Sequence, residues 1–352
     1  MRIAQIAPLY ESVPPQGYGG TERVVSYLTE QLVTDGHDVT LFASGDSRTQ
    51  ARLVSGAPEA LRLGGTQVDP LIPHLVMLEN VFSRAREFDV IHAHVDAIAL
   101  PFARRAGVPV VNTLHGRLDL EGLETLYAEY VDQALVSISD SQREPIPEAP
   151  WIGTVHHGLP RDLYRFHADP APYLAFIGRV SPEKRVDRAI EIAVRSHRKI
   201  RIAAKVDRAD VDYFRQTIEP LLGHPSVEWV GEVDDAAKDD FIGNAAALLF
   251  PIDWPEPFGL TMIEALACGT PVIAWQHGSV SEVLEHGVTG FLCDDVGAAV
   301  RAVQNLPRLS RARCRDEFER RFTAERMAAD YVAIYDRLVA HGERTGAREQ
   351  LT

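Results

Sequence analysis

Short runs dense in Val, Ile and Ala recur along this chain, and each is followed by an amphipathic stretch. In the first half these are RIAQIA (2–7), DVTLFA (38–43), DVIHAH (89–94), PVVNTL (109–114) and ALVSIS (134–139). In the second half they are YLAFIG (173–178), KIRIAAK (199–205), VEWVG (227–231), ALLFP (247–251), PVIA (271–274) and TGFLC (289–293). Continuous apolar runs separated by helical stretches are the pattern of parallel strands buried on both faces and joined by crossover helices. The fold class is therefore α/β. The first crossover helix reads as 21–36, with Thr21 able to cap, Val24, Val25, Leu28 and Leu32 on one face, and Gly36 as its stop.

The pattern lapses between Tyr164 and Pro172 and then restarts, and 352 residues exceed the usual span of one core. The expectation is two doubly wound domains facing each other across a cleft, residues 1–167 and 168–322. A last helix, 323–340, carries Met327, Tyr331, Ile334 and Leu338 on one face. Ligands of such sheets sit beyond the carboxyl ends of the strands.

Composition narrows the function. A formal net charge of −14 opposes nucleic acid as the main partner, because that binding needs clustered positive charge. Cys268, Cys293 and Cys314 have neither metal-ligand spacing nor an even count, which suits a reducing, cytoplasmic setting. No secretory leader or membrane span is legible. The arginine-rich stretch 301–326 leaves room for contact with a membrane surface, but interspersed Asp316, Glu317, Glu319 and Glu325 favour a solvated helix.

Chemistry concentrates after the strands. Gly17-Tyr18-Gly19-Gly20 precedes the first helix and offers free amides at its amino end, or serves as a plain turn. It lacks the G-x-G-x-x-G spacing of a dinucleotide site. Asn112, Thr113, His115 and Gly116 end PVVNTL; His115 either donates to a ligand hydroxyl or braces its own loop. His92 and His94, on an inner strand, read as structural. Ser139 to Arg143 either line an acceptor side or cap a short helix. His156 and His157 are paired without a third metal ligand at useful spacing.

In the second half, GRVSPEK supplies Arg179 and Lys184, a guanidinium and an ammonium able to neutralise a diphosphate without a metal, with Pro182 opening a helix. Lys205 joins them, while Gly231 and Val233 end a strand where backbone groups can meet a nucleobase. The segment 256–274, EPFGLTMIEALACGTPVIA, sets Glu256 and Glu264 around a Phe258-Gly259-Leu260 turn that starts a helix. Carboxylates accept from hydroxyls, and the helix end attracts anions.

Taken in order, G-x-G-G, H-G, GRVSPEK, EPFGLTMIEALACGTPVIA, Gly278-Ser279 with Glu282, and GVTGFL (287–292) resemble the retaining nucleotide-sugar glycosyltransferases of family 4 over nearly the full length. That resemblance implies the GT-B architecture, with the donor held mainly by the second domain and the last helix crossing back to the first. It implies that Arg179 and Lys184 bind the donor diphosphate and that Glu256 and His115 contact the transferred sugar. Glu264 would take the ribose, Phe258, Gly259 and Leu260 would give backbone contacts, and Gly19 and Gly20 would approach the phosphates. The implied catalytic set is Glu256, His115, Lys184 and Arg179. The implied reaction moves a hexosyl unit from a UDP-sugar to an acceptor hydroxyl, with no cofactor or metal. The acceptor is left open among a small molecule, a glycan and a lipid-linked sugar. Two departures stand out: Val206-Asp207-Arg208 replaces a glycine-rich turn, and His157-Gly158 stands where Asn-Gly is frequent. A phosphorylase or hydrolase on the same scaffold, a non-catalytic sugar-nucleotide binder and an NAD-dependent oxidoreductase are the alternatives.

Overall fold

The computed structural model describes every residue except Tyr18, 64–67 and 350–352; Ala236 and 342–349 are described by backbone alone. Tyr18 of the glycine turn thus lies outside the described residues. The chain forms two compact units, Met1–Pro160 with Ala324–Thr352, and Arg161–Thr323.

In the first unit the described strands are β1 (Arg2–Ile6), β2 (Asp38–Ser44), β3 (Arg52–Ala57), β4 (Val90–Ala93), β5 (Val110–Thr113), β6 (Ala134–Ser137) and β7 (Trp151–Thr154). They make one parallel sheet in the order β3-β2-β1-β4-β5-β6-β7. Chain direction across the sheet reverses between β1 and β4, which pair from Ile3↔Val90 to Ile6↔Ala93. In sheets of this kind loops diverge at such a point, and ligands bind beyond the strand ends there. Both faces are covered: Ile6, Phe42 and Ile91 pack under the helix Leu71–Ser83, and Val25 and Leu41 pack on the opposite side. Each buried aliphatic of this kind contributes about 1.5–3 kcal/mol.

The second unit repeats the scheme with β8 (Tyr173–Arg179), β9 (Lys199–Lys205), β10 (Val227–Gly231), β11 (Ala247–Phe250), β12 (Val272–Trp275) and β13 (Gly290–Cys293). The order is β10-β9-β8-β11-β12-β13, again all parallel, and its reversal lies between β8 and β11. The strands are short because each needs only enough length to cross the core between two helical layers.

Several details differ from the sequence reading. The first helix runs Gly20–Thr34 and is entered from Gly19; Thr21 lies inside it and does not cap. Pro182 opens a single 3-10 turn, Pro182–Lys184, and the helix proper is Val186–Arg195, reached through Arg185 at φ +55°. The units divide at Pro160, ahead of the expected junction at 167/168. Arg165 and His167 fasten this segment to the second unit, Arg165 to Asp239 at 2.7 Å and the His167 amide to the Cys268 carbonyl at 3.0 Å. The last helix extends over Ala324–Glu349 and buries Met327, Ala328, Tyr331, Ile334 and Tyr335. Among the described residues no helix is long and apolar enough to cross a membrane.

The arginines of the 301–326 stretch are not simply solvated. Arg311 donates to the carbonyls of His167, Gly243 and Ala245, and Arg315 to those of Arg161, Tyr164 and Ala267. They close carbonyls at segment ends that no helix or strand satisfies.

Candidate active site

In the second unit the functional side chains come from the two sides of the β8/β11 reversal. Beyond β8, the turn Pro182–Lys184 is tied to the loop after β11 by a hydrogen bond from the Asp253 amide to the Glu183 carbonyl, 2.8 Å. That link brings Lys184 Nζ to 2.5 Å from Glu256 Oε2, with the ammonium 4.7 Å from the Trp254 ring centre and 5.6 Å from that of Phe250. Glu256 is 8% exposed. The ion pair with two aromatic faces beside it meets the cost of bringing both charges out of water.

The Glu256 backbone is fixed from behind. Gly278 sits so close that a Cβ there would lie 2.4 Å from the Glu256 nitrogen and oxygen, and its φ of +59° suits glycine. Next to it, the Ser279 amide donates to the Glu256 carbonyl and its hydroxyl to the Phe258 carbonyl, both at 2.9 Å. Gly259, at φ +80°, then turns the chain into the helix Leu260–Cys268, which no side chain caps. Leu260 therefore opens a helix end of positive potential. Phe258 is buried.

Arg179 and Lys184 are paired with different carboxylates. Arg179 is held by Glu183 at 2.7 Å and by Asp210 at 3.5 Å, and approaches Asp207 at 3.9 Å. Lys205 meets the same Asp207 at 3.4 Å, so Asp207 stands between the two cations. The departure from a glycine-rich turn thus supplies a counter-ion. Gly231 bends at φ +83° where β10 ends, and Val233 follows just before Asp234, whose carboxylate caps Asp235–Gly243 by accepting from the Ala237 amide at 2.8 Å. Glu264, 2% exposed, pairs with Lys238 on that helix at 2.9 Å. This partner of Glu264 is not apparent from the sequence.

The strand ends of the first unit carry neutral groups. His92 contacts the Tyr335 hydroxyl at 2.6 Å through Nδ1 and Thr113 Oγ1 at 2.7 Å through Nε2; Thr113 reaches the Tyr331 hydroxyl at 3.0 Å. His94 lies between Gln5 Oε1, 2.9 Å, and His115 Nε2, 2.8 Å. The His115 ring stacks on His157 at 5.3 Å. Burial pushes the pKa of His92, His94 and His157 well below the usual range and that of His115 down to about 3, so all four are neutral at pH 7.

A neutral imidazole carries one N–H. With His94 Nε2 donating to Gln5 Oε1, His94 Nδ1 accepts from His115 Nε2, and the lone pair of His115 stays on Nδ1. His115 thus spends its N–H inside the network, the bracing role of the two that the sequence leaves open, and keeps a lone pair on Nδ1. Gln142 secures its loop by donating to the carbonyls of Leu114 and Gly116 at 2.9 and 2.7 Å. Ser139 accepts from the Gln142 amide, so the segment 139–143 serves this bracing. Gly19 is buried against Pro15 and Glu11, and Gly20 is exposed at the start of an uncapped helix.

The paired His156 and His157 gather no metal-compatible set among the described residues. One such group does occur, His167 with Asp239 and Asp240, but Arg165 already bridges both carboxylates at 2.7 and 2.8 Å. Cys268, Cys293 and Cys314 are free, buried thiols.

Two parallel sheets with ion-paired carboxylates at a helix start have counterparts among known proteins. Residues 18–145 match the model described as Glycosyltransferase Family 4, and residues 165–321 that described as Glycosyl transferases group 1. The chain belongs to glycosyltransferase family 4, and the protein is a glycosyltransferase of the GT-B fold. Among curated proteins it is similar to N-acetyl-alpha-D-glucosaminyl L-malate synthase of Bacillus anthracis, 25% identical across 93% of this chain and 94% of that one. It is also similar to glycogen synthase of Mycobacterium tuberculosis, 26% identical across 95% of each. Among solved structures it resembles AviGT4, a glycosyltransferase involved in avilamycin A biosynthesis, with a TM-score of 0.70 and 25% identity over 97% of this chain and 98% of that one.

Proposed function

We propose that the protein transfers a hexosyl unit from a nucleoside diphosphate sugar to an acceptor hydroxyl with retention of anomeric configuration, with a UDP-sugar as the donor. The observation that carries this reading is the Lys184–Glu256 pair beside the uncapped start of Leu260–Cys268. Ammonium, carboxylate and helix amides stand where a donor would place a diphosphate next to sugar hydroxyls. On binding, the diphosphate takes over Lys184 and Arg179 from their carboxylates, and Glu256 is released to accept from the sugar. Glu264 takes the ribose, Gly231 and Val233 the base, and Lys205 the outer phosphate region. Backbone groups of Phe258, Gly259 and Leu260 complete the donor contacts.

In the reaction the bond from the anomeric carbon to the diphosphate oxygen breaks, and the acceptor oxygen bonds to that carbon from the same face. The leaving phosphate oxygen takes the acceptor's proton. Arg179 and Lys184 stabilise the charge that grows on that oxygen, an electrostatic effect worth about 3–4 kcal/mol for one well-placed group. The proposed set within the first unit is Gly19 and Gly20, whose amides suit phosphate oxygens, and His115, whose neutral ring suits a hydroxyl. The two relatives carry glycogen and L-malate in their names, so the acceptor is the variable part of the reading.

The test is a thermal-shift panel with UDP, GDP, ADP and NAD, followed by NMR of the product's anomeric configuration. A ligand at one hundred times its dissociation constant adds about 2.7 kcal/mol, enough to see. Stabilisation by one diphosphate and a retained anomer support the reading. Silence toward every diphosphate, or an inverted product, would overturn it.

A further inference from the structure

Both carboxylates of the 256–264 segment end on a lysine, but the two pairs are not equivalent. Lys184 meets Glu256 from the turn after β8, a residue the family likeness already assigns. Lys238 reaches Glu264 from the helix Asp235–Gly243, outside the motifs that carry that likeness. Its Nζ lies 2.9 Å from Glu264 Oε1 and 3.6 Å from Asp235 Oδ1, the latter beyond hydrogen-bond range. The Lys238 side chain is 13% exposed and that of Glu264 2%.

The second Glu264 oxygen, Oε2, is buried and has no hydrogen-bond partner among the described residues. A buried carboxylate oxygen left bare is costly, and what satisfies it is a donor. An ammonium has three N–H bonds, and Lys238 commits one of them to Glu264. The pair therefore offers an acceptor and a donor side by side. A hydroxyl both donates and accepts, so two neighbouring hydroxyls complete such a pair reciprocally. The flexible four-carbon stem of Lys238 is the part that can shift to admit them.

We propose that Lys238 is a specificity-determining residue that, with Glu264, reads the vicinal hydroxyls of the donor's ribose and so selects ribonucleotide over deoxyribonucleotide donors. This rests on the nucleotide-sugar reading of the site. A bare cation that merely neutralised Glu264 would hold the helices together without distinguishing the two sugars.

Calorimetric titration of wild type, K238M and K238R with UDP, 2′-deoxy-UDP and 3′-deoxy-UDP tests it, with the GDP and ADP sets run in parallel. Wild type is expected to favour the ribo form by about tenfold or more, since a site built around a hydroxyl rejects an analogue lacking it. K238M should reduce that preference to about threefold or less, mainly by weakening the ribo form, and K238R should keep most of it. If K238M fails to fold, K238Q, which can still donate to Glu264 without a charge, is read in its place. Equal affinity of wild type for ribo and deoxy forms, or a full preference in K238M, overturns the role of Lys238 alone. Absence of binding by every diphosphate to wild type defeats the nucleotide-sugar reading and this inference with it.

Discussion

The two units use the same backbone plan and treat their strand-end polar groups in opposite ways. Each has a parallel sheet with a central reversal and a helix entered from a glycine without a side-chain cap, Gly19 in one and Gly259 in the other. In the first unit the buried groups at the strand ends are imidazoles kept neutral by burial and satisfied by Gln5, Thr113, Tyr331 and Tyr335. In the second they are ions, each lysine closed by a glutamate. A neutral network can offer hydrogen bonds to hydroxyls without raising a field. A buried ion pair that loses one partner leaves a charge that another group must compensate. A shared fold leaves that choice of polar groups open.

The contrast breaks most sharply at its charged end. Lys184→Ala and Glu256→Ala are each expected to lower turnover by about a hundredfold or more, read by steady-state kinetics. Near-normal rates in either would remove the pair from the chemistry. Gly278→Ala forces a methyl group against the Glu256 backbone and should cost about tenfold to a hundredfold in turnover while the fold survives. Wild-type turnover in that variant would show that the carboxylate does not need the buttress.

Acid probes the neutral end. The folded pKa values of His92, His94, His115 and His157 lie below the ordinary 6.5, so the unfolded chain binds protons first as pH falls. The contribution is complete above pH 6.5 and shrinks downward, toward about 3 for His115, by up to about 1.4 kcal/mol per pH unit for each ring. Hydrogen exchange at pH 5.5 should therefore loosen peptides around 90–115 and 324–340 before those of the second unit; the reverse order would contradict the contrast. The smallest effect belongs to an exposed ion pair. Asp240→Asn removes a contact whose side chains are 66% and 69% exposed, and should leave the urea midpoint close to that of wild type.

The central strands were legible because burial on both faces demands continuous apolar runs. Edge strands β3, RLVSGA, and β7, WIGT, went unread because a glycine interrupts each run from within, whereas in the edge strands β10 and β13 the glycine stands at an end. The carboxylates of 256–264 were legible because spacing and helix start lie within one segment. Lys238 was not, since a lone lysine in DDAAKDD reads as solvated charge and its partner stands 26 residues on. The network around His92 was still further from view, with Tyr335 separated by 243 positions. Periodicity reports which face of an element is buried, whereas pairings between distant elements exist only after folding.

The return of Ala324–Glu349 to the first unit sets an order of events during synthesis. A ribosome adds about 5–20 residues per second, and domains emerging first usually fold first. Here the second unit, Arg161–Thr323, is complete while the earlier sheet still lacks its closing helix. Until Tyr331 and Tyr335 leave the exit tunnel, His92, Gln5 and Thr113 wait without the hydroxyls that satisfy them. The half of the protein made first is thus the half that finishes last, and a nascent chain stopped short of residue 331 would carry a complete second unit and a first unit still lacking those hydroxyls.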